Sequence, residues 1–278
     1  MQSFQDIPIT RVSDYWNARP CNIRHSRQPV GSREYFDEVE ARKYFVEPHI
    51  PGFADFAQWK GKKVLEIGCG IGTDTISFAR HGAQVTAVDL TENSLQVARQ
   101  RAKVFGLDHQ IRFVQANAER LSDSLPLETF DLIYSFGVIH HTPHPEKVLE
   151  QLRKYAGPNT MLKVMVYYRW SWKVLWIVTT YGKCQFWKLN RLVADYSEAE
   201  TGCPVTYSYS RSGGRKWLED HGFRVTDVAV DHIFPYVIPE YVEYRYKVVW
   251  YFRWMPKPLF HALERLFGWH LCLTAQPK

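Results

Sequence analysis

The chain has 278 residues, of which 45% are hydrophobic and 23% are charged, with 16 Gly and 15 Pro. This composition is ordinary for a globular protein and excludes a disordered or collagen-like chain. The 35 Lys and Arg residues exceed the 29 Asp and Glu residues, giving a net charge of +6. That charge permits an anionic partner without requiring one.

The cysteines and the apolar runs indicate the compartment. Five scattered cysteines contain no CxxC pair, which argues against a disulfide framework or a zinc knuckle and favours a reducing environment. The N-terminus has no basic start followed by an apolar core, so it lacks the pattern of a secretory signal. The longest strongly apolar run, residues 174–178, is far shorter than the roughly 20 residues needed to span a bilayer. We therefore predict a cytoplasmic protein.

The N-terminal residues differ in pattern from the rest of the chain. Residues 1–60 mix aromatic, proline and charged residues, with a helical pattern over residues 32–45. We predict that they form a helical extension acting as a lid on a domain of residues 61–278. Two segments of that domain, about 170–210 and 233–267, are predicted as insertions over the ligand-binding edge of its sheet.

Short β-branched runs alternate with amphipathic segments from residue 62 onward, which is typical of βα units on a parallel sheet. The pattern predicts strands at residues 63–67, 84–89, 111–115, 130–135 and 161–167, and helices at 74–80, 92–104 and 146–155. Weaker signals predict a helix at 212–220 and strands at 223–230 and about 269–274. The fold class is therefore α/β, a doubly wound and mostly parallel sheet.

A glycine-rich turn follows the first strand. Gly68, Gly70 and Gly72 alternate in a GxGxG pattern directly before a helix, and glycine allows a tight turn and a close approach to a ligand. A dinucleotide site would have GxGxxG with a pyrophosphate at the helix N-terminus. Position 73 is Thr, and Asp74 would repel a pyrophosphate there. A cationic or zwitterionic nucleoside fits this turn better.

Polar residues follow the next two strands. Asp89 lies 21 residues after Gly68, where a doubly wound fold presents a carboxylate to ribose hydroxyls. Asn117 follows the third strand and can hydrogen-bond an adenine edge. The fourth strand opens into Gly137 and two histidines. The strand ends therefore predict one crevice for an adenosyl ligand.

These residues resemble the class I S-adenosylmethionine-dependent methyltransferases, in particular the branch of ubiquinone/menaquinone methyltransferase-like enzymes (methyltransferase type 11). The resemblance covers roughly residues 61–166 and is strongest in VLEIGCGIG, AVDLT, QANAERL and FDLIYSFGVIHHTPHPEKVL. It implies a Rossmann-like sheet of seven strands with a reversed last strand. It also implies S-adenosylmethionine as methyl donor and S-adenosylhomocysteine as product.

The resemblance assigns cofactor-binding roles to eight positions. Methionine and ribose contacts fall to Glu66, Gly68 and Gly70, the ribose hydroxyls to Asp89, the adenine to Leu90, Asn117 and Ala118, and the methionine end to Ser135. Asn117 stands where many members of the family have Asp, so the resemblance implies that the contact to the adenine amino group is kept here and that its negative charge is lost.

Two adjacent histidines are candidates for proton removal. A neutral imidazole beside the sulfonium can take a proton from an acceptor hydroxyl or amine, and His140 and His141 are equally good candidates. Their alternative role is packing or capping the loop. With His144 they form an unpromising metal set, because adjacent loop histidines do not readily converge on one ion. We therefore predict no metal site.

Aromatic and basic residues are the candidates for acceptor binding. Aromatic faces stabilise a cationic methyl donor, and the predicted lid and substrate residues are Tyr15, Trp16, Tyr35, Tyr44, Tyr168 and Arg169. Residues 151–194 contain no Asp or Glu but eight basic residues interleaved with aromatics. This pattern suits an anionic acceptor, an anionic membrane surface or nucleic acid, or is a solvated face of a cap.

Three functions are compatible with these observations. The first is methyl transfer to O, N or C of a small-molecule or lipid-like acceptor, including an anionic one. The second is RNA methylation, although no Asp/Asn-Pro-Pro-Tyr/Phe sequence and no Pro-Cys nucleophile follows the fourth strand. The third is a non-catalytic cofactor-binding partner protein, against which the intact glycine turn and Asp89 argue.

Overall fold

A computed structural model describes residues 4–197 and 202–278. Its strands are β1 (Lys63–Ile67), β2 (Gln84–Asp89), β3 (Ile111–Gln115), β4 (Phe130–Phe136), β5 (Ala156–Tyr168), β6 (Ser208–Tyr209), β7 (Phe223–Asp231) and β8 (His270–Pro277). Its helices are α1 (Ile9–Ala18), α2 (Arg33–Val46), α3 (Ile50–Ala54), α4 (Thr73–Arg80), α5 (Glu92–Phe105), α6 (Pro145–Lys154), α7 (Trp172–Thr180), α8 (Leu189–Tyr196), α9 (Arg211–Asp220), α10 (Ile238–Val242), α11 (Trp250–Arg253) and α12 (Lys257–Phe267).

The sheet has the order β3-β2-β1-β4-β5-β8-β7, with the two-residue β6 beside β5. The pairs among β1 to β5 are parallel, whereas β8 runs antiparallel to both neighbours. The prediction of a mostly parallel, doubly wound, seven-stranded sheet with a reversed last strand is confirmed. The structure adds the short β6.

Apolar side chains fill both faces of the sheet. Val64 of β1 belongs to a cluster with Ile76 of α4 on one face, while its neighbour Leu65 packs with Leu149 of α6 on the other. Successive residues of a strand point to opposite faces, so a parallel strand covered by helices on both sides is apolar throughout. The carboxyl ends of the strands are left as the open edge.

Buried ion pairs join the N-terminal extension to the sheet domain. Lys43 of α2 donates to Asp74 Oδ1 at 2.7 Å, and Tyr134 of β4 donates to Asp74 Oδ2 at 3.0 Å. Arg101 of α5 is fully buried and donates to Glu40 of α2 at 3.1 Å. Leaving either charge without its partner would be strongly destabilising, so these pairs fix α2 against the edge of the glycine turn.

The predicted insertions contain short helices. α7 and α8 lie between β5 and β6, and α10, α11 and α12 lie between β7 and β8. Residues 198–201 of the first insertion lie outside the described residues. Within the described residues, no helix is both long enough and apolar enough to cross a membrane.

Candidate functional site

A cavity of about 440 Å³ lies at the carboxyl ends of β1 to β5. Its described lining includes Gly68, Gly70, Asp89, Leu90, Asn117, Ala118 and His141. These residues come from four separate chain segments, and parallel strands bring them together because their carboxyl ends meet at one edge. Seven of the ten predicted cofactor and catalytic residues therefore share one cavity.

The glycine turn presents backbone to the cavity. Gly70 has φ +53°, and a Cβ added there would meet no atom within 4 Å, so its α-carbon faces open space. Gly68 has φ +76°, and a Cβ there would lie 2.2 Å from the Val138 side chain. Both positions favour glycine, the first for the left-handed backbone and the second also for want of space.

Asp89 connects the end of β2 to the glycine turn. Its Oδ2 accepts the Gly70 N–H at 2.9 Å, and its Oδ1 accepts the N–H and hydroxyl of Thr91 at 2.9 and 2.7 Å. Burial raises the pKa of Asp89 above its ordinary value, and these hydrogen bonds oppose that rise. The carboxylate therefore fixes the loop around the position predicted for the ribose.

The amide oxygen of Asn117 has a hydrogen-bond partner, whereas its amide nitrogen has none among the described residues. Its Oδ1 accepts the Glu119 N–H at 2.9 Å and caps a short 3-10 turn. Its Nδ2 makes no hydrogen bond within the described ranges. An amide nitrogen donates only, so this side chain suits an adenine ring nitrogen, in place of the amino-group contact made by Asp.

Glu66 and Ser135 lie behind the cavity lining. Glu66 is buried and its Oε2 accepts the Thr75 hydroxyl at 2.5 Å, while Ser135 donates to the Ile67 carbonyl at 3.3 Å. Burial and, next, the Asp74 carboxylate raise the pKa of Glu66 to about 8. Neither residue is among the described residues that line the cavity. Their cofactor contacts stay predictions.

The structure distinguishes the two candidate histidines. His141 lines the cavity, and its Nδ1 lies 2.9 Å from the Val205 carbonyl. The Cys203 Sγ and the Thr206 hydroxyl also lie 3.4 and 3.3 Å from Nδ1. Because a carbonyl only accepts, the contact to Val205 favours the tautomer with the proton on Nδ1, in which Nε2 is the acceptor. His140 is fully buried beneath, with its ring centroid 3.9 Å from that of Tyr167. Burial, and then His141, lowers the pKa of His140 well below its usual range.

The predicted lid tyrosines take other positions. Tyr35 is buried with its hydroxyl donating to the Ile23 carbonyl at 2.7 Å, and Tyr44 donates to Asp74 at 3.0 Å. Tyr15 packs its ring edge-to-face against Trp16. Of these predicted aromatics, Trp16 is the one within the described cavity lining.

Tyr168 and Arg169 also lie outside the described cavity lining. Tyr167 lines the cavity instead of Tyr168, since neighbouring residues of β5 point to opposite faces. Arg169 donates to the Ser208 carbonyl at 3.0 Å. The basic residues of the segment 151–194 also lie in different surroundings. Lys163 is buried and donates to the Phe53 carbonyl at 2.8 Å, while Lys188 and Arg191 are exposed. These residues therefore do not form one continuous surface.

The residues in a second part of the cavity lining were not predicted individually from the sequence, although Lys173 and Phe234 lie in the two segments predicted as insertions over this edge. We call this second part the acceptor region, and it consists of Lys43, Glu47, Lys173, His232, Phe234, Trp269 and His270. A signal for its last two residues existed: a reversed last strand begins at the edge where the parallel strands end. The strand predicted near residue 269 therefore had to start beside the cavity.

Comparisons with known proteins place the chain in a family. A family model described as a methyltransferase domain matches residues 58–175. The ubiquinone biosynthesis O-methyltransferase of Pasteurella multocida is 30% identical over 178 residues, which are 57% of this chain and 74% of that protein. The chain belongs to the class I S-adenosylmethionine-dependent methyltransferases. The predicted family and cofactor class are confirmed.

Another relative matches a shorter region. The ubiquinone biosynthesis O-methyltransferase of Idiomarina loihiensis is 38% identical over 115 residues, 41% of this chain and 44% of that protein. The chain spans 39–44% of the length of this relative and of three Vibrio cholerae relatives with the same name.

Solved structures share the fold at low sequence identity. Geranyl diphosphate C-methyltransferase from Streptomyces coelicolor A3(2) has a TM-score of 0.62 and 14% identity, covering 100% of this chain and 99% of that one. Magnesium protoporphyrin IX methyltransferase from Synechocystis PCC 6803 has a TM-score of 0.61 and 16% identity, covering 98% and 100%. At this identity, the likeness establishes the fold alone.

Proposed function

We propose that this protein transfers the methyl group of S-adenosylmethionine to a small-molecule acceptor and releases S-adenosylhomocysteine. The observation that carries the proposal is that Gly70, Asp89 and Asn117 line one cavity at the carboxyl edge of the sheet. These are the positions to which the family assigns the methionine, ribose and adenine parts of the cofactor. Glu66 and Ser135 would support that site from behind.

The composition of the acceptor region supports a partly apolar, anionic acceptor. Phe234 and Trp269 supply aromatic faces, and Lys173 places its Nζ 4.7 Å from the centre of the Trp269 ring. Lys43 also lines this region, but Asp74 compensates its charge, so Lys173 is the residue of the two that favours an anion. The matched relatives are named as O-methyltransferases of ubiquinone biosynthesis, which favours a hydroxyl on a lipid-like aromatic molecule among the O, N and C acceptors.

We further propose that His141 is the general base. Methyl transfer from a sulfonium is an in-line displacement, so the protein must align donor and acceptor and remove a proton where the acceptor needs it. The Val205 carbonyl favours the Nδ1–H tautomer of His141. The remaining nitrogen is then an acceptor for the proton of a hydroxyl.

An exposed aromatic patch supports a membrane surface as partner. We define the tryptophan patch as the exposed residues Trp172, Leu175 and Trp176 of α7 and Trp250, Tyr251 and Trp254 of α11 or next to it. The two helices touch through Trp172 and Tyr251, whose ring centroids are 5.9 Å apart. Exposed Arg253 and Lys257 flank the patch, and residues 244–263 contain no acidic residue. Tryptophan with basic residues favours an anionic lipid interface.

Incubation with methyl-labelled S-adenosylmethionine and separate metabolite, lipid and RNA extracts tests the function. We expect label in the metabolite or lipid fraction and none in RNA. The matched control is Gly70→Val, which places a branched side chain at a left-handed position beside the cofactor and is expected to abolish labelling. Label in RNA alone would overturn the proposed acceptor class, and no label with intact donor binding would overturn the enzymatic function.

A further inference from the structure

Two histidines and a glutamate converge in the acceptor region. Glu47 directly follows α2, His232 follows β7, and His270 begins β8. Each offers a ligand atom to the same space, and these atoms all lie within 4.8 Å of one another. All three residues line the cavity.

The reversed strand explains how they meet. β8 is antiparallel to β5, so its first residue lies at the edge where β1 to β5 end. β7 runs in the opposite direction to β8 and ends at Asp231, which brings His232 to the same edge. There His232 adopts φ +71°, while its carbonyl accepts the Trp269 N–H at 2.7 Å. The topology thus places two imidazoles side by side, with ring centroids 4.6 Å apart.

His232 is buried in the cavity wall without a polar partner for its ring. It is 7% exposed, and neither ring nitrogen makes a hydrogen bond to another described residue. Its ring nitrogens are not among the fully enclosed polar atoms without a partner, so they are accessible from the cavity that this residue lines. A ligand that the cavity receives can therefore reach them.

His270 is oriented by a second imidazole. Its Nδ1 lies 2.9 Å from Nε2 of His49, and its Nε2 lies 3.6 Å from Oε1 of Glu47. The latter distance is too long for a hydrogen bond. When His270 donates its Nδ1–H to His49, a lone pair on Nε2 faces a carboxylate oxygen. In this tautomer a cation between Nε2 and the carboxylate would be stabilised, whereas in the opposite tautomer an Nε2–H faces Glu47.

We propose that Glu47, His232 and His270 bind one divalent transition-metal ion of the zinc type. Two histidines and one glutamate form a known catalytic zinc ligand set, which leaves a fourth position open. Tetrahedral ligands at about 2.1 Å from zinc lie about 3.4 Å from each other. The 3.6 Å separation of His270 and Glu47 already fits, and the widest separation must contract by at most about 1.4 Å. His49 would orient His270 by accepting its Nδ1–H, the role that other acceptors play beside a ligating histidine.

The open position faces the cavity and would take an oxygen atom of the acceptor. A hydroxyl, carboxylate or carbonyl oxygen suits this role. Mg²⁺ and Ca²⁺ fit the protein ligands less well than zinc does, because they prefer ligand sets made of oxygen. The role toward the acceptor rests on the proposed function. Metal binding itself does not.

The test uses the full chain, freed of metal with a chelator and then loaded with Zn²⁺ or Co²⁺. We expect one zinc per chain to survive desalting, measured by plasma mass spectrometry, and visible d–d bands from the cobalt form. His232→Ala and the near-isosteric Glu47→Gln should each weaken zinc binding at least about 100-fold. The matched control is His261→Ala, which removes an exposed histidine of α12 whose Nδ1 lies 2.8 Å from Glu264.

Thermal unfolding and calorimetry with S-adenosylhomocysteine show that each variant is folded. The metal site would be overturned if the native chain retained less than about a tenth of an equivalent of zinc. It would also be overturned if both site variants retained as much zinc as the native chain. Donor binding and methyl transfer without zinc would leave the proposed function standing and remove only this inference. Zinc binding without methyl transfer would leave the metal site standing and contradict the proposed function.

Discussion

At the residue scale, the Asp89 carboxylate holds the glycine turn and lines the cavity where we propose that the ribose binds. We expect Asp89→Ala to weaken S-adenosylhomocysteine binding about 10- to 100-fold, as expected when hydrogen bonds to a charged group are lost. Isothermal calorimetry measures the change. The surface variant Asp37→Asn, whose carboxylate lies 3.8 Å from Arg33, is the control. Unchanged affinity in Asp89→Ala would contradict the ribose assignment.

The two adjacent histidines should respond differently to substitution. His141→Ala removes the proposed base and should lower turnover about 100-fold or more while leaving donor affinity within about twofold. His140→Ala instead empties a buried site beneath Tyr167 and should lower the free energy of unfolding by about 2–4 kcal/mol. Turnover, calorimetry and denaturant unfolding separate the two effects. Full turnover in His141→Ala would exclude it as the base.

At the scale of the element, α7 and α11 present the tryptophan patch on one surface. Wild-type protein should co-sediment with phosphatidylglycerol vesicles far more than with phosphatidylcholine vesicles, and salt should weaken this binding because anionic headgroups attract the flanking cations. Trp250→Ser with Trp254→Ser should reduce the bound fraction about tenfold, since both indoles are almost fully exposed and available to the interface.

Leu127→Ser is the matched control for that experiment, because it removes an exposed apolar side chain outside the patch. Equal sedimentation of the double tryptophan variant and the native chain would contradict the membrane surface. Equal sedimentation of the native chain with phosphatidylglycerol and phosphatidylcholine vesicles would contradict a contribution of charge to membrane binding.

At the scale of the whole molecule, local sequence patterns were sufficient to predict the parallel strands and the helices between them. The bounds of β1, β2 and β3 match their predicted bounds residue for residue, because β-branched runs there end at glycine or polar residues that begin the next turn. The helices α4, α5 and α6 match within one residue at each end. The cofactor side of the cavity followed from these elements, since strand ends share an edge.

Most of the acceptor region, apart from Trp269 and His270 at the start of β8, could not be predicted in this way. Its residues come from α2, from the start of α7 and from the segments around β7 and β8, and no local period records that these segments meet. The ion pair of Lys43 with Asp74 and the cluster of His49, His232 and His270 depend on contacts between distant positions. α10 and α11 are too short, at five and four residues, to show a helical period.

The two parts of the cavity wall come from different parts of the chain, so substitutions in one part need not affect the other. The residues matched by the family model, 58–175, supply the glycine turn and the strand ends, whereas most of the acceptor region is contributed by chain on either side. We expect that exchanging those flanking segments between relatives alters which molecule receives the methyl group and preserves recognition of the donor, provided that the Lys43–Asp74 and Arg101–Glu40 pairs are kept. Such a chain can diversify its chemistry from its two ends while its centre stays the same.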